Sequence, residues 1–118
     1  MGFMNLDQPE LNFANVIRNV IEAAVSVQMP AEHLWLVLCA LEEIGSKEHV
    51  CMDELKQLGE FLPGAMFAGA KAMNKPLPEF VRLVLLGKVI GEEFLLPFSR
   101  QIKEMLKDKV NSPERIVL

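Results

Sequence analysis

Large aromatic side chains and cysteines are scarce in this sequence. It has no tyrosine, one tryptophan and two cysteines, and aromatic residues make up 7% of a chain that is 51% apolar. Core volume must therefore come mainly from Leu, Val, Met and Phe, which favours packed helices over a sheet sandwich. Cys39 and Cys51 are too few for a disulfide scaffold and lack metal-ligand spacing, so we expect a reducing compartment.

Clustered positive charge and long apolar runs are also missing. The formal net charge is −4, and Glu104 and Asp108 interrupt the densest basic stretch, residues 103–109. Nucleic-acid binding needs clustered cations, so we expect no nucleic-acid partner. The longest apolar run has eight residues, 34–41, whereas a bilayer-spanning helix needs about 20. We therefore expect no membrane span in this chain.

Residue types that commonly act in catalysis or bind metals are few, and their spacing does not suit such a site. Cys39 lies in the apolar run, and Cys51 stands where a helix-capping serine would stand. His33 and His49 each follow a glutamate directly, and adjacent helix residues point to different faces. The glycines form no phosphate-binding pattern. The sequence predicts no catalytic, cofactor-binding or metal site, and we expect a protein that is not an enzyme.

Helix start and stop signals divide the chain into six helices. Asp7 and Glu10 are spaced as a capping box, and prolines and glycines separate the later segments. We predict an all-α, compact bundle without a sheet. Residues 7–110 form the helical domain, residues 1–6 a disordered or flexible start, and residues 111–118 a tail. The predicted helices cover residues 8–28, 30–44, 52–59, 63–73, 78–87 and 91 to the Ser112-Pro113 stop.

Apolar periodicity predicts the buried face of each helix. In the first helix one stripe includes Ala14, Val20, Ile21 and Ala24, and the opposite stripe, with Asn19, is expected to face solvent. The run 34–41 is apolar on all sides, so the second helix is either central or partly covered by a partner. The predicted core residues are Leu34, Leu38, Leu41, Leu58, Leu62, Val89, Phe94 and Phe98.

Small residues are concentrated in the fourth predicted helix. They recur every four positions, with others on the adjoining row, so one face carries almost no side-chain volume. Two backbones can then approach closely, and lysines on this short helix favour a contact in water over one in a membrane. The predicted helix-contact face comprises Gly64, Ala65, Ala68, Gly69 and Ala72.

One short pattern occurs twice. Val50-x-x-Asp53-Glu54 returns as Val89-x-x-Glu92-Glu93, each copy after a glycine-containing turn. Two copies are fewer than a repeat array needs. The alternative is that a buried valine followed by an acidic helix start is simply a favourable way for the chain to turn and begin a new helix.

Residues 53–98 together resemble a segment of phage tail tape measure proteins. The matching pattern includes Q-L-G-E-x-L-P-G-A (57–65), an Ala-rich helix ending A-x-A-M (70–73), and an acidic pair followed by Phe94, Leu96, Pro97 and Phe98. The resemblance implies a globular, N-terminal tape measure domain that acts in tail assembly and tail length determination. In tape measure proteins the helical length sets the tail length, and a chain of this size is too short for that. The resemblance therefore implies an excised domain, a prophage fragment or a re-used module.

The resemblance also implies partners and a location. The partners would be the tail tube, the tail assembly chaperone or the tail tip, and self-association is possible. The location would be the virion tail, and the host cytoplasm during assembly. Two alternatives from other classes stay open: a small helical enzyme or regulator with an apolar ligand pocket, and a stand-alone helical oligomerisation module.

Overall fold

Six α-helices make up the structure. The computed structural model describes the backbone of residues 9–110 and the side chains of residues 13–106. Within that part of the chain no strand is formed, so the predicted all-α bundle is confirmed. The predicted Asp7 cap, the flexible start 1–6 and the tail 111–118 lie outside the described residues. The helices are α1 (Pro9–Ser26), α2 (Ala31–Ser46), α3 (Met52–Phe61), α4 (Ala65–Ala72), α5 (Leu77–Leu85) and α6 (Gly91–Val110).

Residues in left-handed backbone conformation follow three of the helices. Gln28 closes α1 at φ 55°, Asn74 follows α4 at φ 60°, and Gly87 follows α5 at φ 70°. Asn and Gly adopt this conformation readily, and α4 and α5 end within two residues of their predicted ends at 73 and 87. The second helix was predicted to end at residue 44, with Gly45 closing it, but Gly45 lies inside α2, which continues to Ser46.

Helices α1 and α6 form the largest contact of the fold. Asn19 Nδ2 donates a hydrogen bond of 3.0 Å to the fully buried Ser99 Oγ. One turn further along both helices, Lys103 Nζ lies 3.0 Å from Glu22 Oε1. Because both contacts advance in the same sense, the two helices run in the same direction along this interface.

The buried face of α1 differs from the predicted stripe. Val20 and Ala24 of the predicted stripe are buried, but Ala14 and Ile21 are exposed, and Val16 and Ala23 are buried in their place. The helix is rotated so that Asn19, expected in solvent, faces α6 and meets Ser99. Counting Asn19 as a solvent-facing residue caused the error, since its partner is distant in sequence.

The two copies of the repeated valine pattern meet in space. Val50 N–H donates to Val89 O at 2.9 Å, and Gly91 N–H donates to Glu48 O at 3.2 Å. An isolated antiparallel bridge joins His49 to Ile90. Backbone hydrogen bonds therefore join the α2–α3 loop to the α5–α6 loop, and both valines are buried.

The core lies between α1, α2, α4 and α6, with α3 and α5 packed at its edges. Of the predicted core residues, Leu34 and Leu38 are only partly buried, on the rim of α2. The remaining six are buried: Leu41, Leu58, Leu62, Val89, Phe94 and Phe98.

Candidate interaction surface

The small-residue face of α4 packs inside the domain. A Cβ added to Gly69 would lie 2.7 Å from Phe80 Cζ and 3.3 Å from Phe94 Cε1, so two aromatic rings occupy the space that a side chain would need. Ala65 and Ala68 are buried beside it. At Gly69 the space is therefore filled by aromatic side chains of α5 and α6, and not by a neighbouring backbone as predicted.

The two ends of the predicted face differ from its centre. Gly64 precedes α4 and adopts a left-handed conformation, φ 78°, which shortens the predicted helix at its start. The Met105 methyl lies 2.8 Å from the position that a Cβ on Gly64 would take. Ala72, at the other end, is partly buried against the core.

A buried carboxylate fastens the start of α3. Glu54 is 3% exposed; its Oε1 accepts a 3.3 Å hydrogen bond from Cys51 N–H, and its Oε2 accepts one from Lys47 Nζ. The hydrogen bond with Glu54, followed by its negative charge, raises the pKa of Lys47 above its ordinary value of 10.5. Glu54 thus caps the start of α3 and anchors the α2–α3 loop.

The cysteines and histidines do not come together as a site. Cys39 and Cys51 are both free and half-buried, and Cys51 Sγ lies 3.9 Å from His49 O. The His33 ring lies against Phe61, with 4.8 Å between ring centroids. Among the residues that the structure describes, no group of three His, Cys, Asp or Glu side chains is placed to hold a metal ion.

An open groove of about 360 Å³ runs between α2 and α3. Leu36 and Phe61 supply its apolar lining, and its polar lining consists of Asp53, Lys56, Gln57 and Glu60. Gln57 Nε2 donates to Leu36 O at 3.3 Å and ties the two helices together. The groove is wide and mainly polar, unlike the enclosed apolar pockets typical of small-molecule sites.

Several large apolar side chains lie on the surface. Trp35 is 67% exposed on α2, and Phe67 is 62% exposed on the outer side of α4. Leu85 and Leu86, at the end of α5, are 69% and 58% exposed. Helix α2 is therefore not a central helix: its apolar run supplies both buried residues, such as Val37 and Leu41, and exposed ones.

Helix length and apolar character also bear on membrane contact. Across residues 9–110, none of the helices is both long and apolar enough to cross a bilayer.

Comparisons with protein-family models, with curated proteins and with solved structures found no match. Arguments about function therefore start from the chain itself.

Two features of this surface were not predicted from the sequence. The Lys47–Glu54 pair was missed, although Cys51-x-x-Glu54 has the spacing of a capping box and indicates that the carboxylate turns back. For α2, the sequence left two alternatives: a central helix, or a helix with an apolar face partly covered by a partner. An eight-residue apolar run is too wide for one buried stripe, so part of it had to remain on the surface unless the helix were central.

Proposed function

We propose that this chain is a structural interaction domain of a phage or prophage tail tape measure protein, acting in tail assembly and tail length determination. The resemblance of residues 53–98 to tape measure proteins supplies the biological context. In this proposal the domain performs no catalysis. It binds the tail tube, the tail assembly chaperone or the tail tip, first in the host cytoplasm and then in the virion tail.

The exposed Trp35 is the observation that carries the proposal. Single apolar residues are common on protein surfaces, but tryptophan is enriched among the residues that dominate binding energy in protein interfaces. Trp35 is the single tryptophan of the chain, and Leu36 beside it is also exposed. Covering both side chains with a partner removes apolar surface from water, which favours association.

Deleting the coding region from the phage or prophage genome tests this role. We expect electron micrographs of the progeny to show no tails or tails of altered length, and complementation by the intact chain to restore them. Tails of normal number and length after deletion would overturn the proposal.

Self-association is a second candidate, favoured by the adjacent exposed Leu85 and Leu86. Consecutive leucines at a helix end form a compact apolar patch that a second copy can cover. Light scattering on the purified chain should then give a dimer mass that returns to monomer in a Leu85→Lys variant. A monomer at all concentrations would exclude this candidate without affecting the first.

A further inference from the structure

One exposed face of α2 combines an apolar pair with negative charge. Glu32 lies three and four positions before Trp35 and Leu36, and all three side chains are exposed. Residues at these spacings share one side of a helix, here called the α2 face. Helix α2 contains three glutamates and neither lysine nor arginine. On the neighbouring α3, the exposed Asp53 and Glu60 outnumber the helix's one lysine, so the surroundings of the α2 face are acidic.

One exposed face of α5 repeats this layout with the opposite charge. Arg82 lies three and four positions before Leu85 and Leu86, and all three side chains are exposed. They share one side of the helix end, here called the α5 face. The one acidic residue of α5 is Glu79, and its carboxylate lies 3.9 Å from Lys75 Nζ, which offsets its charge. The α5 face is therefore basic.

The charges of the surrounding segments follow the same division. Residues 31–61 contain seven acidic and two basic residues, whereas residues 65–88 contain one acidic and four basic residues. Neither Glu32 nor Arg82 forms an ion pair with another side chain between residues 13 and 106. Within one molecule both faces stay uncovered, and their charges and apolar pairs are complementary.

We propose that the α2 face of one molecule binds the α5 face of a second copy. When the two helices run in the same direction, the equal spacing places Glu32 opposite Arg82 while Trp35 and Leu36 cover the two leucines. Burial of both apolar pairs drives association, and the opposite charges select the partner face.

Such a contact is head to tail. Each bound molecule still offers one free face, so association continues with concentration into a ring or a filament. The inference rests on the self-association candidate, for which it names the second surface, and not on the proposed role in phage tails.

Charge reversal in the full chain tests the pairing by sedimentation velocity. Glu32→Arg or Arg82→Glu alone should weaken self-association about tenfold or more, because like charges then face each other. Both changes in one chain should restore it, since each contact again joins opposite charges. Glu104→Arg, an equal charge reversal at an exposed position of α6, is the control and should leave association unchanged. A double variant that associates no better than the single variants would overturn the inference.

Mixing two blocked variants separates a head-to-tail contact from a symmetric one. Trp35→Lys blocks the α2 face and Leu85→Lys the α5 face, so each variant alone should be monomeric. Their mixture should give a one-to-one dimer and nothing larger, because one intact face of each kind remains.

The contrary outcomes identify what has failed. Monomers in the mixture would overturn the inference, as would a dimer that survives Trp35→Lys, because a symmetric contact between two α5 faces does not use the tryptophan. Either result would leave the self-association candidate standing. An unmodified chain that stays monomeric at all concentrations would overturn both, without affecting the proposed binding of a tail protein.

Discussion

At the scale of single residues, two polar contacts fix how the helices meet. Glu54 is buried with two partners, Cys51 N–H and Lys47, and Ser99 is buried with Asn19. Buried polar groups cost free energy unless they are hydrogen-bonded, so each contact excludes arrangements that would separate its partners. These contacts therefore specify the orientation of α1 and the path of the α2–α3 loop.

The Lys47–Glu54 pair predicts a loss of stability at alkaline pH. Because the pKa of Lys47 is raised on folding, the stabilisation is fully present below the ordinary pKa of 10.5 and is lost as pH rises through the folded-state value. Urea unfolding at about pH 9 and at higher pH should show this fall. Lys47→Met should reduce it, whereas Lys56→Met, which removes an exposed lysine, should leave it unchanged. An equal fall in both variants would contradict the assignment.

The Asn19–Ser99 hydrogen bond predicts a coupling between α1 and α6. In a double-mutant cycle of Asn19→Ala and Ser99→Ala, urea unfolding should give a coupling free energy of about 0.5–1.5 kcal/mol. The exposed Glu22–Lys103 pair is the comparison: its coupling should be smaller and should weaken with added salt. Additive effects of the Asn19 and Ser99 substitutions would show that the hydrogen bond does not form.

At the scale of helices, small residues place α4 against the aromatic side chains of its neighbours. Phe80 and Phe94 stack with 6.0 Å between ring centroids, and Phe94 and Phe98 with 4.9 Å, next to Gly69. The four-residue spacing of small side chains predicted a close helix contact, because that inference needs only local sequence. Which helices would meet there could not be read from spacing, since Phe80 and Phe94 lie on other helices.

Gly69→Ala tests this packing. Overpacking against Phe80 and Phe94 should lower the free energy of unfolding by about 1–3 kcal/mol, although alanine is the better helix former. Gly59→Ala is the matched control, because nothing lies within 4 Å of the Cβ that it would add. It should raise stability by up to about 1 kcal/mol. Urea unfolding of both variants makes the comparison, and a stabilising Gly69→Ala would refute the close contact.

The errors at this scale have local causes. Gly45 was read as a helix end because glycine often closes helices, but the helix continues past it and ends without a left-handed residue. In α1 the apolar pattern predicted the helix itself and misplaced its buried face by assigning Asn19 to solvent. Periodicity detects a helix reliably, whereas its orientation depends on partners such as Ser99 that are far away in sequence.

At the scale of the whole molecule, burial of the small-residue face leaves other surfaces for partners. The sequence raised α4 as a contact inside the domain or against a partner, and the described structure uses it inside. Trp35, Phe67 and Leu85 remain on the outside. Their exposure could not be predicted, because an apolar residue looks the same in sequence whether it fills a core or a surface.

We propose above that Trp35 contacts a tail protein. Calorimetric titration of the purified chain with the tail tube, tail assembly chaperone and tail tip proteins of the same genome tests it most directly. We expect one of them to bind, and Trp35→Ala to weaken that binding about tenfold or more, as for a central interface tryptophan. Glu92→Gln, an exposed control at the start of α6, should leave the binding unchanged. Absence of binding to all three proteins, or binding that Trp35→Ala does not alter, would contradict the claim.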